Sequence, residues 1–304
     1  MNWEGALEFM DVKNILIARG IRATRSLGQY FLIDEDVASR MVDYAGVDCC
    51  DVVLEIGAGV GSVTEKLVRR AKKVYAVEKD KELCEVLRER YRNKNKDGGA
   101  EIIEGDIMKI ELPRFDKVVA SIPFSLSSAI TYKLLLHNHN NNYNEASGLA
   151  LAAVLLYQKE FAKKLVARPR SDSYSRISVI SQALARIEIL ELVHRDAFYP
   201  PSPVKTTIVR LKAYDYEEQT AKSKSKAVAE EKEERIVAMK DRKKFFEFVT
   251  TAFEQRRKKM GSIFKTRLLR DSRLVSAELD KRPEELSPDE FVRWFSDIEV
   301  GGHK

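Results

Sequence analysis

The chain has few of the features that mark secreted, membrane or metal-binding proteins. Its 304 residues include only 3 cysteines, 14 glycines and 8 prolines. No apolar run approaches the roughly 20 residues that a membrane-spanning helix needs. The N-terminal segment carries Glu4, Glu8 and Asp11 and lacks the basic start and apolar stretch of a signal peptide. We therefore expect a soluble cytoplasmic protein.

The cysteines and histidines do not form a recognisable metal pattern. Cys49 and Cys50 are adjacent, and Cys84 lies far from them in sequence. Adjacent cysteines do not easily serve one tetrahedral zinc ion. His137 and His139 lie in an asparagine-rich stretch without an acidic or cysteine partner nearby. We predict ordinary thiols, a polar surface loop around the histidines and no bound metal.

Basic residues outnumber acidic ones by 53 to 47, a net charge of +6 that solubility alone can explain. Their distribution is more informative. The basic clusters near the C-terminal end are Lys240, Arg242, Lys243, Lys244, Arg256, Arg257, Lys258, Lys259, Lys265, Arg267 and Arg270. The interleaved phenylalanines are Phe245, Phe246, Phe248, Phe253 and Phe264. This pattern predicts a helical unit with a phenylalanine core and a basic outer face for nucleic-acid phosphates, the alternative being an ordinary solvated helix face.

Short aliphatic runs alternate with helix-like segments between residues 52 and 211. The predicted strands are 52–56, 73–77, 101–103, 117–120 and 149–156, and the predicted helices are 63–70, 81–92 and 127–136. Such alternation indicates a parallel sheet covered by helices on both faces. Two further strands, 186–193 and 206–212, flank a proline-rich turn without a helix between them, which predicts a closing antiparallel hairpin.

A domain boundary is expected where the composition changes. Residues 214–237 are a Lys/Glu/Ala/Ser mixture with little apolar periodicity, typical of a solvated linker or a mobile helix. We predict a Rossmann-like α/β domain at 1–213 and a small all-helical domain at 238–304. In the latter, Ser287 and Pro288 are placed to cap and begin the last helix.

Candidate ligand-binding residues follow three successive predicted strands. Gly57, Gly59 and Gly61 follow the first strand, where glycine permits a sharp turn and a close approach to a ligand. Glu78 ends the second strand and could accept hydrogen bonds from both hydroxyls of a ribose. Asp106, after the third strand, could accept one from an adenine amino group. Three such positions at one sheet edge predict a site for a nucleoside-bearing cofactor.

The segment Ser121-Ile122-Pro123-Phe124 follows the fourth strand. It resembles the catalytic loop of methyltransferases that modify the exocyclic amino group of a nucleobase. Phe124 could stack on a flipped-out base, and Pro123 would fix the loop. The side chain of Ser121 and the carbonyl of Ile122 could accept the two amine hydrogens.

Further segments extend this resemblance from near residue 20 to residue 265. They are 26–32, 158–162, 168–169, 174–178, 198–204 and 253–258. Together with the glycine turn, they resemble the S-adenosylmethionine-dependent methyltransferase fold. Within that fold the chain is similar to the ribosomal RNA adenine dimethyltransferases, which act near the 3′ end of small-subunit rRNA. The resemblance implies a monomer whose partner is the small ribosomal subunit with its rRNA.

The resemblance also implies the roles of individual residues. The cofactor-binding set is Gln29, Tyr30, Leu32, Gly57, Gly59, Glu78, Asp106 and Ser121, and the catalytic set is Ser121, Ile122, Pro123 and Phe124. The first three residues would close over S-adenosylmethionine, and the two glycines would approach its methionine part. Residues 174–178 could line the RNA entrance or simply pack as an amphipathic helix.

Two departures from the family pattern leave alternatives open. Ser121 stands where the family usually has Asn, and its hydroxyl reaches less far than an amide carbonyl. Phe124 replaces the common Tyr and keeps the stacking face. We expect rRNA adenine N6-methylation, with dimethylation as the usual outcome. The alternatives are an RNA-binding assembly factor with little or no catalysis and an amino-group methyltransferase for another nucleic acid.

Overall fold

The computed structural model describes residues 12–21, 23, 29–91, 99–137, 152–214, 241–265 and 279–301. The helices are α1 Val12–Ala18, α2 Glu35–Ala45, α3 Ser62–Leu67, α4 Lys81–Tyr91, α5 Ser127–Leu136, α6 Lys159–Leu165, α7 Arg176–Leu184, α8 Arg242–Glu254, α9 Met260–Ile263 and α10 Pro288–Gly301. The strands are β1 Phe31–Leu32, β2 Val52–Ile56, β3 Lys73–Glu78, β4 Ala100–Glu104, β5 Lys117–Ala120, β6 Ala152–Gln158, β7 Ala185–Val193, β8 Phe198–Tyr199 and β9 Thr206–Ala213.

Seven strands form one sheet in the order β4-β3-β2-β5-β6-β9-β7. The neighbouring pairs from β4 to β6 are parallel, and β9 is antiparallel to β6. The central strands are continuous apolar runs: Val53, Leu54 and Val118 are fully buried. Runs of this kind are typical of parallel strands with both faces covered. The predicted mixed, mostly parallel Rossmann-like sheet is confirmed.

The closing hairpin contains more structure than the sequence predicts. β9 lies between β6 and β7. A short 3₁₀ helix, Arg195–Ala197, follows β7, which corrects the prediction that no helix separates the two strands. Phe198 and Tyr199 then form β8, which pairs antiparallel with β1 in a separate two-stranded sheet. Phe198 is 1% exposed, so burial of its ring accompanies this pairing.

Helix α2 shows how local sequence places the elements. Asp34 caps its first turn by accepting a hydrogen bond from the Val37 amide at 3.0 Å. Gly46 ends it with φ of 59°, in the left-handed region that favours glycine. Its apolar face, including Met41 and Val42, is fully buried in the core beside the sheet. The helix thereby covers one face of the strands whose ends form the candidate site.

The described chain separates into two compact units. The first comprises Met1–Leu134, Leu151–Ala162 and Glu188–Lys212 and contains the candidate site. The second comprises Leu135–Ala150, Lys163–Ile187 and Ala213–Lys304, so α7 belongs with the C-terminal helices. The division of the chain at 214–237 stays a prediction, because 215–240 lie outside the described residues. Residues 138–142 of the predicted polar loop also lie outside them.

The second unit has an aromatic core, as its sequence predicts. Its buried aromatic residues include Phe245, Phe248, Phe264, Phe291, Trp294 and Phe295. The rings of Phe248 and Phe264 lie 4.6 Å apart between centroids. Ser287 caps α10 reciprocally with Glu290: the hydroxyl accepts from the Glu290 amide, and the carboxylate accepts from the Ser287 amide. The predicted start of the last helix is confirmed.

Tyr174 and its neighbours are packing residues of the second unit. Tyr174 is 1% exposed and donates a hydrogen bond to the Leu286 carbonyl at 2.7 Å. Ser178 is fully buried. These contacts favour helix packing over an RNA entrance for this segment. No helix within the described ranges has both the length and the apolar character needed to cross a membrane.

Candidate active site

The glycine turn between β2 and α3 forms one wall of the candidate site. Gly57, Gly59 and Gly61 have φ values of 72°, 60° and 94°, which only glycine adopts readily. A Cβ on Gly57 would lie 3.4 Å from Cδ of Pro123, and one on Gly59 would lie 3.3 Å from the Phe31 ring. The missing side chains therefore let the turn pass close to the neighbouring loops.

Glu78, at the end of β3, holds this turn in place through hydrogen bonds. One carboxylate oxygen accepts from the Gly59 amide at 2.9 Å, and the other accepts from the amides of Lys79 and Asp80 at 2.8 and 2.9 Å. Glu78 is only 8% exposed. A carboxylate has about four acceptor positions, so the three backbone amides leave room for another donor. Glu78 can thus shape the turn and still receive a ligand hydroxyl.

Asp106 lies beyond β4, at the same sheet edge. It accepts from the Met108 amide at 3.0 Å and pairs with Nζ of Lys79 at 3.1 Å. The Met108 amide, followed by Lys79, lowers the pKa of Asp106 below its usual value. The side chain is therefore a carboxylate at neutral pH and can act only as an acceptor.

Glu55, two residues before Gly57, lines the same cavity and is 2% exposed. The Thr64 hydroxyl donates to its carboxylate at 2.6 Å. Burial raises the pKa of Glu55 to about 8, because an ionised carboxylate is poorly solvated there. The hydrogen bond from Thr64 lowers the pKa of Glu55, and the nearby negative charge of Glu78 raises it.

The loop after β5 presents the two acceptors that the sequence predicts. Within the described part of the chain, neither the Ser121 hydroxyl nor the Ile122 carbonyl has a hydrogen-bond partner. The next carbonyls are occupied: that of Pro123 accepts from the Leu126 amide, and that of Phe124 accepts from the Ser127 hydroxyl. Two acceptors are therefore left available at the strand end.

Aromatic rings surround this loop. The rings of Phe124 and Tyr30 stack with centroids 5.8 Å apart and an interplanar angle of 23°. Phe198 meets Phe124 edge to face at 6.5 Å. Such stacked and edge arrangements are favourable geometries for aromatic pairs. The face of Phe124 that stacks on Tyr30 is thus covered by that ring in this conformation.

All the residues predicted for cofactor binding and catalysis line one cavity of about 420 Å³. They are Gln29, Tyr30, Leu32, Gly57, Gly59, Glu78, Asp106, Ser121, Ile122, Pro123 and Phe124. A volume of this size is within the usual range for small-molecule sites. The bare glycine turn, the carboxylates at two strand ends and the acceptors of the loop fit S-adenosylmethionine. The roles of these residues stay predictions.

Two residues of this region have no role in the sequence-based prediction. The sequence signal for Glu55 is a charged residue inside the apolar run Val52–Ile56, where a polar side chain needs a reason. Phe198 has a weaker signal, because only the fold brings it to Phe124. The pairing of β8 with β1 could not be read from two short segments about 170 residues apart.

The second unit carries a basic surface of its own. Arg256, Arg257, Lys258, Lys259 and Lys265 are exposed. Two of them are paired with acidic groups: Arg256 with Glu284 at 3.2 Å and Lys259 with Asp280 at 2.8 Å. We call these five residues the basic surface. Lys240, Arg267 and Arg270 lie outside the described residues.

Comparison with known proteins decides the family. The family model described as "Ribosomal RNA adenine dimethylase" matches residues 20–228. The chain belongs to the ribosomal RNA adenine dimethylase family. The enzymes of this family are S-adenosylmethionine-dependent methyltransferases, which confirms the cofactor class expected from the glycine turn and the strand-end carboxylates.

Relatives of the family include archaeal proteins named "Probable ribosomal RNA small subunit methyltransferase A". The one from Methanosarcina barkeri is 37% identical over 296 residues, covering 94% of this chain and 91% of the relative. The one from Thermococcus onnurineus is 43% identical over 192 residues, covering 63% of this chain and 65% of the relative. The first alignment extends through the C-terminal helical region as well as the sheet.

Solved structures support the fold. A dimethyladenosine transferase from Plasmodium falciparum matches with a TM-score of 0.68 at 23% identity, covering 90% of this chain and 98% of that one. The 23S rRNA methyltransferase ErmE matches with a TM-score of 0.52 at 22% identity, covering 88% and 99%. At these identities the likeness concerns the fold alone.

Proposed function

We propose that this chain, an rRNA adenine methyltransferase, places two methyl groups on N6 of adenosines near the 3′ end of small-subunit rRNA during ribosome biogenesis. The observation that carries the proposal is a pair of acceptors on the wall of the cavity, the Ser121 hydroxyl and the Ile122 carbonyl, which have no hydrogen-bond partner among the described residues. An unmodified exocyclic amine offers two hydrogens, and these groups can accept both; after the first transfer one hydrogen is left for one of them.

The two acceptors would activate the amine. The lone pair of adenine N6 is delocalised into the ring, so the nitrogen is a poor nucleophile. Hydrogen bonds from its two hydrogens to Ser121 and Ile122 favour a pyramidal nitrogen with a more available lone pair. Pro123 limits the motion of the loop, and Phe124 stacks on the extruded base. The protein therefore acts mainly by positioning.

The cofactor would lie across the strand ends. When bound, S-adenosylmethionine would supply a methyl group on a sulfonium, from which a neutral thioether is a good leaving group, while the methylated amine gives up a proton to solvent. Gly57 and Gly59 leave space for its methionine part, and Glu78 accepts from the ribose hydroxyls. Asp106 accepts from the adenine amine, and Gln29 closes the rim, where its Nε2 atom lies 3.5 Å from the Asp80 carboxylate. All of these residues line the same cavity.

The basic surface would hold the RNA. Exposed arginine and lysine side chains bind phosphates without reading sequence, so they supply affinity while the pocket supplies selectivity. We propose that the protein acts as a monomer on the small ribosomal subunit in the cytoplasm. The Methanosarcina barkeri relative, whose name places its activity on small-subunit rRNA, supports this choice of substrate.

One observation favours a second candidate function. Ser121 is shorter than the usual Asn, and a weakened acceptor would cost about 1 to 3 kcal/mol, or roughly 5- to 150-fold in rate. Near the upper end of that range the protein would serve mainly as an RNA-binding assembly factor. An amino-group methyltransferase for another nucleic acid remains the third candidate, since Ser also occurs in loops acting on cytosine amines.

Labelled methyl transfer separates these candidates. The protein is incubated with labelled S-adenosylmethionine and small subunits that lack the modification, and cofactor binding is measured in parallel by calorimetry. Transfer to the rRNA supports the proposed enzyme. Cofactor binding without transfer to the subunits would contradict it and leave the assembly factor, and transfer only to DNA or another RNA would favour the third candidate.

A further inference from the structure

A buried carboxyl group in the cavity has no role in the mechanism above. Glu55 is 2% exposed, although it lines the cavity. Within the described ranges, no lysine or arginine side chain forms an ion pair with it, and its polar partner is Thr64. A buried carboxylate without a cation is costly, so the group is protonated or awaits a cationic ligand.

The groups around Glu55 do not supply the missing positive charge. Glu78, on the neighbouring strand, adds negative charge and disfavours ionisation of Glu55. Tyr91 is buried, and the charge of Glu55 helps to raise the pKa of this phenol, so it stays neutral. Arg90 forms an ion pair with Glu65 at 3.3 Å and donates a hydrogen bond to the Val60 carbonyl. Burial raises the pKa of Glu55 to about 8.

We propose that Glu55 is a positioning residue that senses ligand charge: its carboxyl releases a proton to solvent when the sulfonium cofactor binds and regains one after the methyl group leaves. This inference rests on the proposed function, because it concerns the cofactor of the same site. Methyl transfer converts the sulfonium into a neutral thioether, so the ligand loses one positive charge. The carboxylate then loses its counter-charge and takes up a proton.

The consequence is discrimination between cofactor and product. A carboxylate next to the cavity favours S-adenosylmethionine over S-adenosylhomocysteine, since only the former carries the sulfonium. Proton uptake after transfer keeps the buried group neutral beside the product and avoids an unpaired charge. Glu55 lies two residues before Gly57. Gly57 belongs to the glycine turn, which is predicted to approach the methionine part of the cofactor, and that part contains the sulfonium.

Calorimetry in buffers of different ionisation enthalpy tests the proposal. Such titrations count the protons released when S-adenosylmethionine or S-adenosylhomocysteine binds the full-length protein. At pH 7 we expect the wild type to release about one proton more than Glu55→Gln with S-adenosylmethionine. With S-adenosylhomocysteine the two proteins should release nearly the same number. Comparing the proteins cancels titration of the ligand's own amino group.

Affinities give a second readout. From pH 6.5 to 8.5 the preference of the wild type for S-adenosylmethionine over S-adenosylhomocysteine should rise roughly 20-fold, as expected for one linked proton on a group whose pKa is about 8 without ligand, and that of Glu55→Gln should stay flat. Thr64→Val keeps the carboxylate and loses a hydrogen bond that favours its charge, so its proton release should persist with a midpoint at higher pH. This variant tests the proposal if Glu55→Gln does not fold.

The outcomes distinguish this inference from the proposed function. Equal proton release by wild type and Glu55→Gln with S-adenosylmethionine, or an unshifted midpoint in Thr64→Val, would overturn the role of Glu55 and leave the methyltransferase intact. Failure of the wild type to bind either ligand would overturn the proposed function itself.

Discussion

Among single residues, Ser121 matters most for the proposed methyl transfer. Its hydroxyl lines the cavity and has no partner among the described residues, so it can accept a hydrogen from a bound amine. A serine places this oxygen closer to the backbone than an asparagine would. Under the proposed function, this position therefore sets how well the amine is held.

Ser121→Asn is expected to keep or raise the rate of transfer, because the amide carbonyl reaches farther toward the amine. Ser121→Ala, which removes the acceptor, should lower the rate about 5- to 150-fold, corresponding to a loss of 1 to 3 kcal/mol. Single-turnover transfer to small subunits, at saturating cofactor, measures both. An inactive Ser121→Asn variant beside an active wild type would show that this account of the acceptor is wrong.

Glu55 predicts a pH dependence of folding. Its pKa is about 8 in the folded protein and near 4.5 ordinarily. The folded state therefore keeps a proton that the unfolded chain has released, and stability falls as pH rises between these values. Over that window the loss is on the order of 5 kcal/mol. Burial is the main cause of the raised pKa, and the nearby carboxylate of Glu78 adds to it.

Glu55→Gln should remove this part of the pH dependence, because the amide keeps the shape and an acceptor for the Thr64 hydroxyl without titrating. Urea unfolding of both proteins at pH 5, 7 and 9 measures the difference. We expect the variant to gain stability relative to wild type as pH rises. Parallel curves for the two proteins would contradict the buried, protonated carboxyl.

At the scale of elements, the start of α3 depends on Gly61. A Cβ at this position would lie 2.7 Å from the Tyr91 hydroxyl oxygen and 3.1 Å from Leu87, both on α4. The hydroxyl itself donates to the Gly61 carbonyl at 3.0 Å. The tight glycine turn and the position of α4 are therefore coupled through one residue.

Gly61→Ala should destabilise the fold by roughly 2 to 4 kcal/mol, from backbone strain together with overpacking. Gly46→Ala is the matched control, since Gly46 also has positive φ but no atom within 4 Å of the added Cβ. It should cost only about 1 to 2 kcal/mol. Urea denaturation measures both, and equal losses would show that the contact with Tyr91 is unimportant.

The sequence predicts these elements well where a pattern is local. The strand β5 and helix α5 have the predicted bounds, since an apolar run and a helical period are visible within a few residues. The sequence also predicts that the residues lining the cavity lie together, because the carboxyl ends of parallel strands meet at one edge of the sheet. The sequence does not predict that Glu78 accepts hydrogen bonds from three backbone amides, or that the rings of Tyr30 and Phe124 stack. Both features depend on tertiary contacts.

At the scale of the whole molecule, the chain combines a chemical site in one compact unit with a basic surface in the other. The pocket would determine which base is selected, and the basic surface would determine the affinity for RNA phosphates. Mutations can therefore change one property without the other. The sequence indicated the basic surface through the spacing of its charges and phenylalanines. It did not indicate that Arg256 and Lys259 are partly neutralised by acidic partners.

Arg257→Gln combined with Lys258→Gln should weaken binding to small subunits and reduce its salt dependence, by a slope of about 0.7 to 0.9 for each RNA phosphate that the variant no longer neutralises. Binding of S-adenosylmethionine should be unchanged. Lys13→Gln and Lys66→Gln, in the first unit, together form a control with the same loss of charge. Filter binding at several salt concentrations measures the effect. An equal slope for both double variants would contradict a specific role of the basic surface.

The whole molecule is expected to methylate adenine N6 in small-subunit rRNA. The most direct measurement is mass-spectrometric mapping of the rRNA after incubation of unmodified small subunits with the protein and S-adenosylmethionine. We expect N6,N6-dimethyladenosine near the 3′ end of that RNA and none in a reaction without protein. If the adenosines there stayed unmodified although the protein bound the cofactor, the proposed function would be wrong.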